Sequence, residues 1–252
     1  MIEIITQYFK VNYQNKEERQ KEINLCLKKN MKNKFVSKIH FLYESDEDYE
    51  YFKKLINNKV IMYPLKKRIT YKDVLEYANT NLQDKTCVYL HADMYVTDDF
   101  GTFNYKKNHM YPLVSHHPKK CNKKLHCKCN RQFKTPKGIY GVTFDGFVFT
   151  SPVKNEMIND FNYEVNHLGA ENRFIYLFKK NNYIVVCPNK DLRAIHLHQT
   201  VYHNRKDWID IDGNFKPIDY FSKIHKLQKN KSYDEKIVGG GIPFYQGSAK
   251  FI

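Results

Sequence analysis

Hydrophobic residues in the first half of the chain follow two alternating patterns. Short β-branched and aromatic runs predict strands, and the longer segments between them, with apolar residues at helical spacing, predict helices. This alternation is typical of parallel strands joined by crossover helices. The predicted strands are 2–8, 36–43, 60–63 and 86–90, and the predicted helices are 17–30, one preceded by Asp46 and one capped by Thr70. We therefore expect an α/β fold with a mostly parallel central sheet flanked by helices.

The pattern changes after Asp99. Glycine, proline, lysine, histidine and cysteine crowd the stretch 101–137, in which only 110–115 looks like a strand. Regular periodicity then returns. The later predicted elements are a strand at 141–150, a helix beginning near Gly169, and short strands at 184–187 and 192–197.

Length and composition support a single folded domain. The chain has 252 residues, of which 42% are hydrophobic and 15% aromatic, so it can fill a core and differs from disordered chains. We expect one domain over 1–222, with 101–137 as an irregular insertion, followed by a basic tail over 223–252.

The N-terminal residues carry no evident targeting signal. Residues 1–9 lack the basic start, the apolar stretch and the small-residue cleavage site of a secretory signal. No apolar run approaches the ~20 residues that span a bilayer. The six cysteines are therefore expected to be reduced thiols, and the chain to be cytoplasmic without a membrane span.

The chain is strongly basic, with 42 Lys and Arg against 27 Asp and Glu and a formal net charge of +15. A positive field of this size attracts nucleotides, acidic glycans and nucleic acid alike. The abundance of Lys, Asn, Ile and Tyr is also what an AT-rich genome produces, so the charge alone selects no partner.

A polar motif, His91-Ala92-Asp93, directly follows the predicted strand 86–90. Open parallel sheets bind ligands at the carboxyl ends of their strands, and a carboxylate oxygen there suits Mg or Mn bound to phosphates. An aspartate at a strand end is also a common turn former or helix cap. Because Asp93 lies outside the predicted apolar core, its replacement is expected to leave the fold intact.

Two other carboxylates stand out by their surroundings. Asp145 occurs in an otherwise apolar predicted strand, and a buried carboxylate is costly unless it has a partner or a task. Gly146 beside it would let a ligand or another backbone approach closely. Glu171 lies at a predicted helix start, where the helix dipole stabilises a carboxylate, so capping alone can also explain it.

Further candidate site residues lie beside predicted strands and are of types that bind metals, phosphates or nucleosides. His198 shares one face of a short strand with His196, and it could complete a metal shell or contact a diphosphate. Arg68 precedes the helix that leads to the metal motif, where a guanidinium could bind a phosphate. Thr6 and Tyr8, at the end of the first strand, could hold a base and a ribose. Solvated charges and ordinary strand residues are the alternative explanations for this set.

Several short segments, taken in order, resemble a group of GT-A-like glycosyltransferases found in large DNA viruses and microbes. Residues 89–95, Tyr-Leu-His-Ala-Asp-Met-Tyr, are similar to the group's short Asn-Ala-Asp form of the Asp-x-Asp motif, with His91 in place of the asparagine. The resemblance extends to about Asn204. The other similar segments are 5–9 with Arg19, Glu22 and Asn30, and then 68–73, 144–149, 169–173 and 195–198.

The resemblance implies a GT-A (Rossmann-like) fold and the transfer of a sugar from a nucleotide sugar. The implied cofactor is Mn or Mg; zinc, which the Cys/His cluster described below could bind, is less favoured. The implied donor is linked to UDP or GDP, and the acceptor is a glycan or a protein. A viral chain of this kind would act in the host cytoplasm.

Site roles follow from the implied reaction. Asp93 and His198 are expected to bind the metal. For an inverting transfer, Glu171 is expected to act as the general base, and Asp145 to bind the donor sugar or the acceptor. The residues expected to contact the nucleotide are Thr6, Tyr8, Arg68, His91 and Asp93.

A Cys/His cluster supports a second hypothesis. Cys121, His126, Cys127 and Cys129 are residue types that bind zinc, and lysines surround them. Their spacing lacks the paired Cys-x-x-Cys units of common structural zinc sites. The alternative function is a zinc-stabilised nucleic-acid-binding protein, which leaves the carboxylates unexplained.

Overall fold

The computed structural model describes residues 1–12, 16–116, 144–167, 169–188 and 191–197, and it gives the backbone of short strands at 133–135, 138–140, 207–209, 215–217 and 249–250. The helices are α1 (Lys16–Lys32), α2 (Asp46–Phe52), α3 (Tyr71–Asn81), α4 (Asn155–Ile158) and α5 (Ala170–Lys180). The strands of the main sheet are β1 (Ile2–Thr6), β2 (Val36–Tyr43), β3 (Val60–Pro64), β4 (Thr86–Leu90), β5 (Met94–Val96), β6 (His109–His116), β9 (Phe144–Thr150), β10 (Ile184–Cys187), β11 (Ala194–His196) and β14 (Ala249–Lys250). Two separate pairs are β7 (Phe133–Thr135) with β8 (Gly138–Tyr140), and β12 (Asp207–Ile209) with β13 (Phe215–Pro217).

The central sheet has the strand order β14-β10-β6-β9-β4-β1-β2-β3. Strands β3, β2, β1 and β4 run parallel, whereas β9 runs antiparallel to both β4 and β6. Strand β10 is parallel to β6, and β11 is parallel to β6 and antiparallel to β5. The fold is therefore α/β with a mostly parallel sheet, which confirms the predicted fold class.

The strand order reverses between β1 and β4. From β1 the chain moves outward to β2 and β3, and it then returns to the other side of β1 as β4. In open α/β sheets such a reversal leaves a crevice at the carboxyl ends of the two strands, where ligands bind. The residues that follow β1 and β4 are therefore the first candidates for a ligand site.

Helices cover both faces of the sheet with apolar side chains. Leu75 of α3 and Phe174 of α5 belong to the core cluster on one face, whereas Leu27 of α1 and Phe52 of α2 belong to the cluster on the other. Burial on both faces explains why β1 and β4 consist mostly of apolar residues. Within the described ranges, no helix combines the length and the apolar character needed to cross a membrane.

Two buried asparagines, Asn30 of α1 and Asn33 just after the helix, connect this part of the chain to β5. Asn30 Nδ2 donates to Met94 O at 3.0 Å, and Asn30 Oδ1 accepts from Val96 N at 3.0 Å. Asn33 Nδ2 donates to Val96 O at 3.1 Å. Helix side chains therefore help to position β5, a three-residue strand that is too short to show a periodic pattern in the sequence.

Part of the predicted insertion at 101–137 is built into the central sheet. Strand β6 lies between β9 and β10, so its residues belong to the core of the fold. Residues 117–132, with the cysteines of the alternative hypothesis, lie outside the described residues. The same is true of most of the predicted tail at 223–252, so the division into domain and tail stays a prediction.

Candidate functional site

Five polar side chains from four segments converge near the carboxyl end of β4. His91 and Asp93 follow β4 directly, and Asp145 lies on β9, whose backbone accepts a hydrogen bond from His91 N at 3.2 Å through Asp145 O. Glu171 occupies the first turn of α5, and His196 ends β11. Three carboxylates and two imidazoles therefore occupy the edge at which the strand order reverses.

Gly146 allows Asp145 to reach this edge. A Cβ atom at Gly146 would lie 2.8 Å from Tyr89 O and 2.9 Å from Leu90 Cδ2. Both distances are below normal van der Waals contact, so any larger residue would push β9 away from β4. The sequence-based expectation that another backbone approaches this glycine is confirmed.

His91 lies between two carboxylates. His91 Nδ1 is 3.9 Å from Asp145 Oδ1, and His91 Nε2 is 4.0 Å from Glu171 Oε1. One ligand atom from each of the three residues lies within 4.8 Å of the other two. An imidazole nitrogen with two carboxylate oxygens is a donor set that suits Mn, Mg or Zn, so these residues could hold a divalent cation.

Asp93 is engaged by two cationic groups. Arg19 Nη2 lies 2.5 Å from Asp93 Oδ2, and His196 Nε2 lies 2.7 Å from the same oxygen. Asp93 is only 4% exposed, which makes this a buried ion-pair network and not a solvated surface charge.

His196 also lies close to Asp145, and each of the two residues shifts the pKa of the other. Burial lowers the pKa of His196, but the charge of Asp93 and the contact with Asp145 outweigh it and raise the pKa to about 10. Burial raises the pKa of Asp145, but the hydrogen bond and charge of His196, the charge of His91 and the Ser115 hydroxyl together lower it. At neutral pH the pair is therefore an imidazolium and a carboxylate, 3.4 Å apart.

The raised pKa of His196 predicts a loss of stability at alkaline pH. Its contribution is complete below the ordinary value of 6.5 and disappears as the pH rises through about 10. In urea denaturation with EDTA, the unfolding free energy should fall between pH 7 and pH 10. His196→Gln, which keeps a polar side chain without the charge, should be less stable at pH 7 and lose less over the same range. Equal losses in the two proteins would contradict this assignment.

Thr6 and Tyr8, the two residues near the end of β1 that are predicted to bind the nucleotide, interact with other residues of the protein. Thr6 Oγ1 donates to Leu90 O at 2.8 Å, which ties β1 to β4. The buried ring of Tyr8 packs against Phe41 and Phe52, with centroid distances of 5.5 and 5.6 Å. Their nucleotide roles stay predictions.

Arg68 and His198 complete the set of predicted site residues. The Arg68 side chain is 46% exposed and lies 3.3 Å from Glu44 Oε2 and 3.7 Å from Glu164 Oε2. His198 lies outside the described residues, so its metal role stays a prediction.

The sequence does not predict the role of Arg19. It also does not predict two buried polar groups at this edge of the sheet. Gln7 directly follows β1, and neither atom of its buried amide has a hydrogen-bond partner among the described residues. The same holds for the buried hydroxyl of Tyr71, whose pKa is raised by burial and then by the charge of Glu171. Buried polar groups are normally hydrogen-bonded, so these two could serve a polar ligand.

No protein-family model matches the chain, and no curated protein matches it in sequence. Several solved structures are similar in fold. A mannosyltransferase from Pyrobaculum calidifontis, in complex with GDP-Man and Mn2+, aligns with 77% of this chain and 56% of its own, at 9% identity and a TM-score of 0.48. This chain thus spans just over half the length of that neighbour.

Two other solved structures are similar in fold to this chain. The glycosyltransferase GlyE from Streptococcus pneumoniae aligns with 74% of this chain and 45% of its own, at 11% identity and a TM-score of 0.43. A 4-diphosphocytidyl-2C-methyl-D-erythritol synthase from Anaerococcus prevotii aligns with 81% of this chain and 93% of its own, at 9% identity and a TM-score of 0.48. At these identities and TM-scores, none of the similarities assigns an activity to this chain.

Proposed function

We propose that this protein is a divalent-cation-dependent glycosyltransferase that moves a sugar from a nucleotide-sugar donor to a glycan or protein acceptor. The observation that carries the proposal is the convergence of three carboxylates and two histidines at the reversal of strand order, the edge where α/β sheets bind ligands. The resemblance of the short motifs to GT-A-like enzymes supports the same reaction class.

The residues at this edge fit a divalent cation. We propose His91, Asp145 and Glu171 as its donors, because their ligand atoms lie within 4.8 Å of one another. Asp93, the donor expected from the sequence, pairs with two cationic groups, Arg19 and His196, whose charges already compensate its own more fully than His196 compensates that of Asp145. A cation bound here would supply positive charge to the diphosphate as it leaves the sugar.

The chain's own residues would orient the donor around this centre. Gln7 and Tyr71 offer buried hydrogen-bonding groups to a polar ligand at the same edge. Arg68 and the basic surface would attract the anionic nucleotide. In this arrangement Glu171 is a cation donor, whereas the sequence-based hypothesis makes it the general base.

A thermal-shift screen tests the proposal against its alternative. Nucleoside diphosphates, UDP and GDP first, should raise the melting temperature in the presence of Mn or Mg and not in EDTA, because the diphosphate binds through the cation. Oligonucleotides should give little stabilisation. Stabilisation by oligonucleotides without any response to nucleoside diphosphates would favour the nucleic-acid-binding function and contradict the enzyme.

A further inference from the structure

Arg19 of helix α1 connects three parts of the molecule at the site. Its Nη2 lies 2.5 Å from Asp93 Oδ2, while its Nη1 lies 2.9 Å from Glu22 Oε2 and donates to Leu197 O at 3.1 Å. The side chain is only 11% exposed. A guanidinium has several donors in a fixed plane, so it can hold a carboxylate and a carbonyl at once.

Asp93 connects Arg19 to the proposed cation donors through His196. Its Oδ2 lies 2.7 Å from His196 Nε2, and His196 Nδ1 lies 3.4 Å from Asp145 Oδ2. Arg19, Asp93, His196 and Asp145 therefore form a chain of alternating positive and negative groups. The chain begins on a helix and ends on a residue that we propose as a cation donor.

The helix that carries Arg19 is itself fixed against the site. Asn30 of α1 is hydrogen-bonded to Met94 O and Val96 N at 3.0 Å each. Leu197 N donates to Asp93 O at 2.9 Å, and β5 pairs with β11 next to it. These contacts place the guanidinium of Arg19 beside Asp93 and Leu197.

We propose that Arg19 is a positioning residue that aligns Asp145 for cation binding through Asp93 and His196. This role rests on the proposed cation-dependent function. Without Arg19, Asp93 retains His196 as its cationic partner, and His196 is drawn toward Asp93. The contact between His196 and Asp145 is already the longer of the two, so Asp145 loses its alignment.

Direct measurement of Mn2+ binding to the full-length protein, without nucleotide, tests this role. Arg19→Met should weaken the affinity by about tenfold or more, the usual consequence of removing a group that orients a metal ligand. Arg19→Lys should restore little of it, because an ammonium lacks the planar fork that holds both Asp93 and Leu197 O.

Arg193→Met provides the matched control. Arg193, just before β11, pairs through its Nε with Asp99 Oδ2 at 2.6 Å, and Asp99 is not one of the proposed donors. Its removal should leave the affinity for Mn2+ unchanged, even where it lowers the melting temperature. If the role of Arg19 were merely structural, Arg19→Met and Arg193→Met should have the same affinity for Mn2+.

The outcomes separate the two proposals. If Arg19→Met binds Mn2+ as tightly as the wild type or more tightly, Arg19 is only a counter-charge and the positioning role is overturned. If Arg19→Met does not fold, Arg19→Lys decides. Wild-type Mn2+ affinity in Arg19→Lys overturns the positioning role, and a tenfold loss of affinity supports it. A wild-type protein that binds no divalent cation overturns the proposed function itself.

Discussion

Asp93→Ala should lower the melting temperature by roughly 6–20 °C, since breaking a buried ion pair costs about 3–5 kcal/mol and each kcal/mol is worth about 2–4 °C in a chain of this size. The substitution leaves Arg19 and His196, both mostly buried, without their shared carboxylate. Binding of Mn2+ should weaken as well, because His196 then loses the partner that holds it beside Asp145. Differential scanning fluorimetry and a manganese titration measure the two effects.

Asp99→Ala is the control for this substitution. Asp99 pairs with Arg193 but is 31% exposed, and such an exposed pair contributes about 1 kcal/mol or less. Equal shifts of the melting temperature in the two variants would contradict a buried network at Asp93. The expectation from the sequence, that replacing Asp93 leaves the fold intact, overlooks this network because its partners come from distant segments.

Glu171→Gln should reduce the Mn2+ affinity by about tenfold or more and the turnover by about a hundredfold or more. The amide keeps the shape of the side chain but removes the negative charge that a cation donor supplies. Isothermal titration with Mn2+ and an assay for release of nucleoside diphosphate give the two values.

Glu164→Gln serves as the control for Glu171→Gln. Glu164 is an exposed carboxylate that pairs with His167 and Arg68, so its neutralisation should change neither value by much. A loss of turnover in Glu171→Gln with unchanged Mn2+ and donor affinity would restore Glu171 as the general base and remove it from the cation site.

The sequence predicts the sheet well where strands are rich in β-branched, aromatic and other apolar residues. The strands 36–43, 86–90 and 184–187 coincide with β2, β4 and β10, and Thr70 caps α3 with a reciprocal hydrogen bond from Asp73. Apolar residues on both faces give these strands a strong signal. Strand β5 gives none, because three residues held by Asn30, Asn33 and β11 show no period.

The candidate site is predictable only in part, for a physical reason. His91 and Asp93 are found from their position after an apolar strand, and Asp145 from its charge within one. Arg19 occupies the first turns of α1, where charged residues look alike in sequence, and its contact with Asp93 spans 74 positions. Such a pairing depends on how α1 packs on the sheet, which local pattern does not specify.

Calorimetric titration of UDP and GDP into the wild-type protein, in Mn2+ and then in EDTA, tests the central claim most directly. The diphosphate should bind through a cation held by His91, Asp145 and Glu171, so at least one of the two nucleotides should bind in Mn2+ and not measurably in EDTA. Equal affinity in both buffers, or no binding of either nucleotide, would contradict a cation-dependent nucleotide-sugar transferase.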